Sequence, residues 1–224
     1  MSGPLVLLWD WDNTLVDGWI AIAAALNAVF AAHAVPAWTT EETRARVRGS
    51  LRDTFPGMFG GRWEAARDLF YRVLAEQHLD HLRPMPGAEE ALAAGSRWPQ
   101  GVVSNKAGAF LRAEVAHLGW APRFAAVVGA GDAAADKPHA APILMALQPL
   151  GAAAGRSVWY LGDTALDMRA ARAAGCTAVL IGDAAHDGGI ARAGPDLHFP
   201  DANALAAHLR SRAGPAACIE MPHC

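Results

Sequence analysis

The 224-residue chain predicts an α/β fold, a doubly wound parallel sheet core with an inserted all-helical cap. Three observations lead there. From Pro84 onward, short apolar runs alternate with stretches of helical period, the rhythm of a parallel sheet covered on both faces. Between Gly18 and about Arg83 the period is helical, with no strand signal. Polar, chemistry-bearing residues follow directly on the apolar runs, where open α/β sheets bind ligands.

The elements follow in order. Residues 5–9, Leu-Val-Leu-Leu-Trp, form a buried first strand that runs into Asp10 and Asp12. After Asp17-Gly18, Ile20, Ile22, Leu26, Val29 and Phe30 recur near helical spacing until Val35-Pro36. Thr39 or Thr40, followed by Glu41-Glu42, opens a second helix with an acidic first turn. Arg48-Gly49-Ser50, Phe55-Pro56-Gly57 and Gly60-Gly61 are breaks, and residues 63–78 form a third helix. Pro86-Gly87-Ala88-Glu89-Glu90 opens a helix. Strands are expected at 102–104, 126–129, 158–162 and 178–181, with a weak one at 197–199. Helices are expected at 107–118, 138–150, 165–174 and 202–212. The division is then a core of residues 1–17 and 84–213, a cap of residues 18–83, and a loose tail at 214–224. No internal repeat is present.

Composition narrows the function classes. Hydrophobic residues make up 53%, enough for a sizeable core, and the net charge of −3 gives no reason to expect nucleic acid. Three irregularly placed cysteines argue against a disulfide framework or zinc site and suit a reducing, cytoplasmic setting. The N-terminus lacks a basic segment followed by an apolar core. The apolar stretch from Trp19 to Val35 is short and broken by Asn27 and His33, so no membrane association is expected. The oligomeric state stays open. Of 19 basic residues only two are lysines, Lys106 and Lys137.

Four clusters could carry chemistry. Asp10 and Asp12 are one: a carboxylate can attack phosphorus, and a second at i+2 on extended chain projects to the same side and can move protons. Taken alone the pair is equally an Asp-rich turn. Ser104, in Val103-Ser104-Asn105-Lys106, offers phosphate donors at a strand end, or caps the next helix. Lys137 precedes Pro138, placed at the first helical position. A cation at a helix mouth is disfavoured unless an anion joins it, although a solvated lysine is the bland alternative. Asp163 and Asp167 stand in Leu161-Gly162-Asp163-Thr164-Ala165-Leu166-Asp167; Asp163 can cap the helix, or both can join Asp10 around a cation such as Mg²⁺. The joint order of the four, all at strand ends, favours the site.

These segments, DWDNT, VSN, the lysine of DKP and GDTALD, resemble the four motifs of the haloacid dehalogenase-like hydrolase superfamily over residues 5–212. The stretch 85–92 is similar to the segment that returns to the core in phosphoglycolate-phosphatase-like members. The resemblance implies a Rossmannoid core with a small helical cap. It implies Asp10 as nucleophile, Asp12 as acid/base, and Ser104 and Lys137 as phosphate holders. Mg²⁺ would be bound by Asp10, the Asp12 backbone carbonyl and Asp163, with Asp167 in support. Asn105, Thr14 and Arg52 are assigned to the substrate, a small phosphorylated metabolite with phosphoglycolate the default. Trp9 and Trp11 replace the usual Phe and should change packing, not chemistry. Asp12 is unlike true dehalogenases, and a cap without lysine is unlike phosphonoacetaldehyde hydrolases. Gly49-Ser50-Leu51-Arg52 is similar to the phosphate-gripping cap segment of sugar-phosphate mutases, so phosphoglucomutase-like transfer is one alternative. A non-enzymatic binding or regulatory scaffold is the other.

Overall fold

The computed structural model describes residues 4–47 and 51–212, and their side chains except those of 51–53. Gly49, Ser50, the Arg52 side chain and the tail therefore lie outside the described residues. After β1 (Val6–Trp9) come α1 (Gly18–Ala32), α2 (Thr40–Arg46), α3 (Leu51–Phe59) and α4 (Trp63–Gln77). The chain returns through α5 (Ala88–Ala94) to β2 (Gln100–Ala107), α6 (Gly108–His117), β3 (Ala126–Ala130) and α7 (Ala141–Leu147). It continues with β4 (Val158–Gly162), α8 (Ala165–Ala173), β5 (Thr177–Ile181), α9 (Ile190–Ala193), β6 (Leu197–Phe199) and α10 (Ala202–Arg212). The strands form one sheet in the order β3-β2-β1-β4-β5-β6, and every neighbouring pair is parallel.

Side-chain alternation explains why the strands are apolar throughout. Leu7, Trp9, Trp159, Leu161 and Val179 face α5, α6 and α10, while Val6, Leu8, Val158, Tyr160 and Leu180 face α7 and α8. Both faces are thus buried, as a doubly wound sheet requires. The buried indole N–H of Trp9 donates to Gln100 Oε1 at 2.9 Å.

Residues 18–77 pack around their own aromatic cluster of Leu26, Phe30, Phe55, Phe59, Phe70 and Val73. Two strands of chain join this cluster to the sheet and are tied together: Asp17 N donates to Arg83 O at 2.8 Å, and Met85 N to Leu15 O at 2.9 Å. The α2 start carries a full capping box between Thr39 and Glu42.

Three expectations need correction. Phe55-Pro56-Gly57 is no break, because α3 runs through Pro56. Phe55 and Phe59, one turn apart, are both buried, and two such burials at about 1.5–3 kcal/mol each outweigh the roughly 3 kcal/mol cost of an interior proline. Pro138 does not open a helix; α7 begins at Ala141, with Pro142 in its first turn. Residues 136–141 form a turn instead, in which His139 N donates to Asp136 O at 2.9 Å and Ala141 N to His139 Nδ1 at 3.0 Å. Finally, β2 extends beyond Ser104 to Ala107, after a register shift against β3.

Candidate active site

The site forms at the switch point of the sheet, between β1 and β4, where the strand order reverses and a crevice opens. Trp9 and Leu161 are register partners, and Asp10 N donates to Leu161 O at 2.8 Å. Asp10 follows Trp9 directly, and Asp163 follows Leu161 after Gly162, so the two carboxylates emerge at the same end of neighbouring strands. Asn13 adopts a left-handed conformation, φ 62°, which lets Leu15 N and Val16 N reach back to Trp11 O at 2.9 and 3.1 Å.

Thr164, not Asp163, caps α8, in a capping box with Asp167. Thr164 Oγ1 donates to Asp167 Oδ2 at 2.5 Å, which leaves Oδ1 for Lys137 Nζ at 2.7 Å. The same ammonium donates to Asp10 Oδ1 at 2.6 Å. Lys137 is not at a helix mouth. It reaches the crevice from the loop after β3, held by a reciprocal pair: Asn105 Nδ2 donates to Lys137 O, and Lys137 N to Asn105 Oδ1, both at 3.0 Å. Tyr160 lies beneath, its ring centroid 5.6 Å from Lys137 Nζ and its hydroxyl donating to Val103 O at 2.8 Å.

Electrostatics follow from this crowding. Burial, then Asp167, pushes the Asp10 carboxyl well above the usual range, against the pull of Lys137. Burial likewise raises Asp163, opposed by His186. Burial also works against the Lys137 charge, but Asp10 and Asp167 outweigh it and hold the ammonium protonated well above its usual range. The three carboxylates bring oxygen atoms to within 4.8 Å of one another. One lysine does not neutralise them. Asp163 Oδ2 is buried with His186 Nε2 3.2 Å away, and buried Asn13 Oδ1 has no hydrogen-bond partner among the described residues. An all-oxygen set of three crowded carboxylates, with the unpartnered Asn13 Oδ1 beside it, fits a hard divalent cation.

Asp12 belongs to a second network. Its Oδ1 lies 2.8 Å from Lys106 Nζ. Lys106 also donates to both oxygens of Glu114, at 2.8 and 2.6 Å. Glu114, 1% exposed, accepts from Trp11 Nε1 at 2.6 Å and pairs with His78 Nδ1 at 2.7 Å. Burial opposes the Lys106 charge, but Asp12 and Glu114 raise its pKa.

Asp10, Asp12, Ser104, Asn105, Lys137, Asp163 and Asp167 all line one cavity of about 520 Å³, with Tyr71 and Leu74 of α4, Phe110 of α6, and Leu166 on the apolar side. Ser104 Oγ accepts from Lys106 N at 3.1 Å, so it caps no helix. Thr14 is not in that lining. Its hydroxyl is turned to Asp163 Oδ1 at 3.2 Å, so it braces the carboxylate cluster instead. A second cavity, about 370 Å³, lies beyond Asn13 and Asp163, walled by Trp19, Arg44 and the loop holding His186.

Glu114, His186 and Tyr160 escape sequence reasoning. Glu114 had a visible signal: a carboxylate between Leu111 and Val115 on the buried stripe of α6. His186, in a glycine-rich loop, and Tyr160, in an apolar strand, had none.

Residues 7–181 match the family model described as haloacid dehalogenase-like hydrolase. The chain is 31% identical over 191 residues to a phosphoglycolate phosphatase of Xanthomonas campestris pv. campestris, covering 80% of this chain and 83% of that protein. It is 32% identical over 180 residues to a phosphoglycolate phosphatase of Xylella fastidiosa, with 77% of each covered. A solved haloacid dehalogenase-like family protein from Streptococcus pneumoniae shares the fold, with a TM-score of 0.77 at 22% identity over 93% of this chain and 99% of that one.

Proposed function

The chain belongs to the haloacid dehalogenase-like hydrolase family and is an enzyme of the phosphoric monoester hydrolase kind, and from that premise we propose that it hydrolyses a small phosphorylated metabolite through an aspartyl-phosphate on Asp10. The observation that carries this is the buried cluster of Asp10, Asp163 and Asp167 around Lys137 at the β1–β4 crevice.

One oxygen of Asp10 attacks phosphorus as the bond from phosphorus to the leaving alcohol breaks. Asp12 gives its proton to that leaving oxygen. Water then attacks the phosphoryl group; Asp12 takes a proton from it, and the phosphorus–Asp10 bond breaks to free phosphate. Lys137, already fixed by Asp10 and Asp167, has a third N–H for a phosphate oxygen, and Ser104 keeps its hydroxyl proton to donate. A bound Mg²⁺, held by Asp10, Asp163 and the Asp12 backbone carbonyl with Asp167 in support, would neutralise charge on the carboxylates and the phosphate. Residues 18–83 act as a cap over the site, and α4 supplies the wall where the leaving group sits.

Phosphoglycolate is the substrate to try first, since the relatives above carry that name. The decisive experiment is Asp10→Asn assayed with Mg²⁺ on 4-nitrophenyl phosphate and on a panel of phosphorylated metabolites. The variant should stay folded and lose all detectable turnover. Undiminished hydrolysis by it would sink the mechanism.

A further inference from the structure

Resting on that phosphatase reading, we propose that Lys106, anchored by the buried Glu114, is the positioning residue that aims Asp12 at the leaving group, and that His78 ties this arrangement to the helical segment.

Asp12 needs such a device. It sits just beyond the strand, and its side chain is 32% exposed, so nothing in the sheet fixes its torsions. Two contacts do. On one side Lys106 Nζ lies 2.8 Å from Oδ1. On the other the chain passes so close at Gly18 that a Cβ there would stand 2.9 Å from the same Oδ1. The carboxyl is confined between an ammonium and a bare backbone carbon. Exposed ion pairs order little, because a long lysine chain is itself mobile. Lys106 is different. Both Glu114 oxygens hold its ammonium, and Glu114 is immobilised by Trp11 and His78. Every oxygen of that carboxylate is satisfied, so the buried charge is tolerated. Trp11 is the residue between the two aspartates, so the network grips the same strand end that presents them.

His78 adds the link to the cap. It follows α4, whose Tyr71 and Leu74 wall the cavity, and its ring lies 4.9 Å from Phe110 of α6. The end of α4 therefore meets the core at the group that holds Lys106. The leaving-group wall and the proton donor are set by one buried carboxylate.

A positioning role predicts a leaving-group dependence that a structural role does not. The value of kcat/KM reports events through transfer to Asp10, and only poor leaving groups need a proton in that step. The test measures kcat/KM of wild type, Lys106→Met and Glu114→Gln on 4-nitrophenyl phosphate and on a primary alkyl phosphate, with Asp12→Asn as the reference. Lys106→Met should lose on the order of 100-fold on the alkyl ester, and at most a tenth of that loss on the aryl ester. Glu114→Gln should show the same asymmetry to a smaller degree. Equal losses on both esters, or none on either, would overturn the proposal. Lys106→Met decides the matter even where Glu114→Gln folds poorly. A wild-type enzyme inert to both esters would instead defeat the phosphatase reading on which the proposal rests.

Discussion

A Cβ on Gly162 would stand 2.4 Å from both Cβ and Cγ of Asp167, closer than any real packing allows. Asp167 cannot yield, since Thr164 and Lys137 hold its two oxygens from opposite sides. The glycine at the end of β4 is thus a geometric requirement of the carboxylate cluster. Gly162→Ala should destabilise the protein by about 1–3 kcal/mol, as overpacking does, and lower kcat as Asp167 and Lys137 shift. Thermal melting and steady-state assay check both, and a variant with unchanged melting and turnover would refute the close fit. At this scale the sequence was most legible where a polar residue ended an apolar run: Asp10 and Asp163, just beyond β1 and β4, come together in the structure, with Lys137 paired to Asp10. Thr14 lies outside the cavity lining, its hydroxyl turned to Asp163, because adjacency to a motif does not say which way a hydroxyl points. The role of Lys106 depends on Glu114, which stands on the next element, α6, and is joined to it only by the fold.

The element that sequence rules described best is α2. A Thr-x-x-Glu pattern implies a capping box, and Thr39 Oγ1 does accept from Glu42 N at 3.0 Å while Glu42 Oε2 accepts from Thr39 N at 2.9 Å. Beyond its cap the helix has little support, since Thr43 is its one buried residue. Thr39→Ala should therefore cost about 1 kcal/mol of local stability. Native-state hydrogen exchange should show the α2 amides roughly fivefold less protected, with β1 and β4 unchanged. A uniform change across the molecule would contradict a local role for the cap. The proline rules fared worse. Pro56 lies inside α3 and Pro138 outside α7, because buried phenylalanines decide the first case and the Lys137 loop the second. Local punctuation predicts backbone preference; it does not register what a neighbouring element gains by overriding it.

Across the whole molecule, the sheet order brings together residues more than a hundred positions apart, and their charges do not cancel. Asp10 and Lys137 are 127 residues apart in sequence and 2.6 Å apart in space. The alternation of strands and helices made a parallel sheet legible, but only the order β2-β1-β4 puts Asp10 beside Asp163, and nothing local to either residue encodes it. Three buried carboxylates around one ammonium leave an excess of negative charge in a low-dielectric crevice, a cost carried by the metal-free fold. A divalent cation that binds there only in the folded state should therefore stabilise the molecule. At a hundred times its dissociation constant the gain is about 2.7 kcal/mol, or a melting point roughly 5–10 °C higher for a chain of this size. Differential scanning calorimetry with and without millimolar Mg²⁺ measures this without any substrate. Asp163→Asn removes one charge and one carboxylate oxygen from the crowded cluster, so its metal-free melting point should stay near that of wild type while its response to Mg²⁺ disappears. Wild-type protein that melts at the same temperature with and without the cation would show that the cluster is neutralised by Lys137 and protons alone.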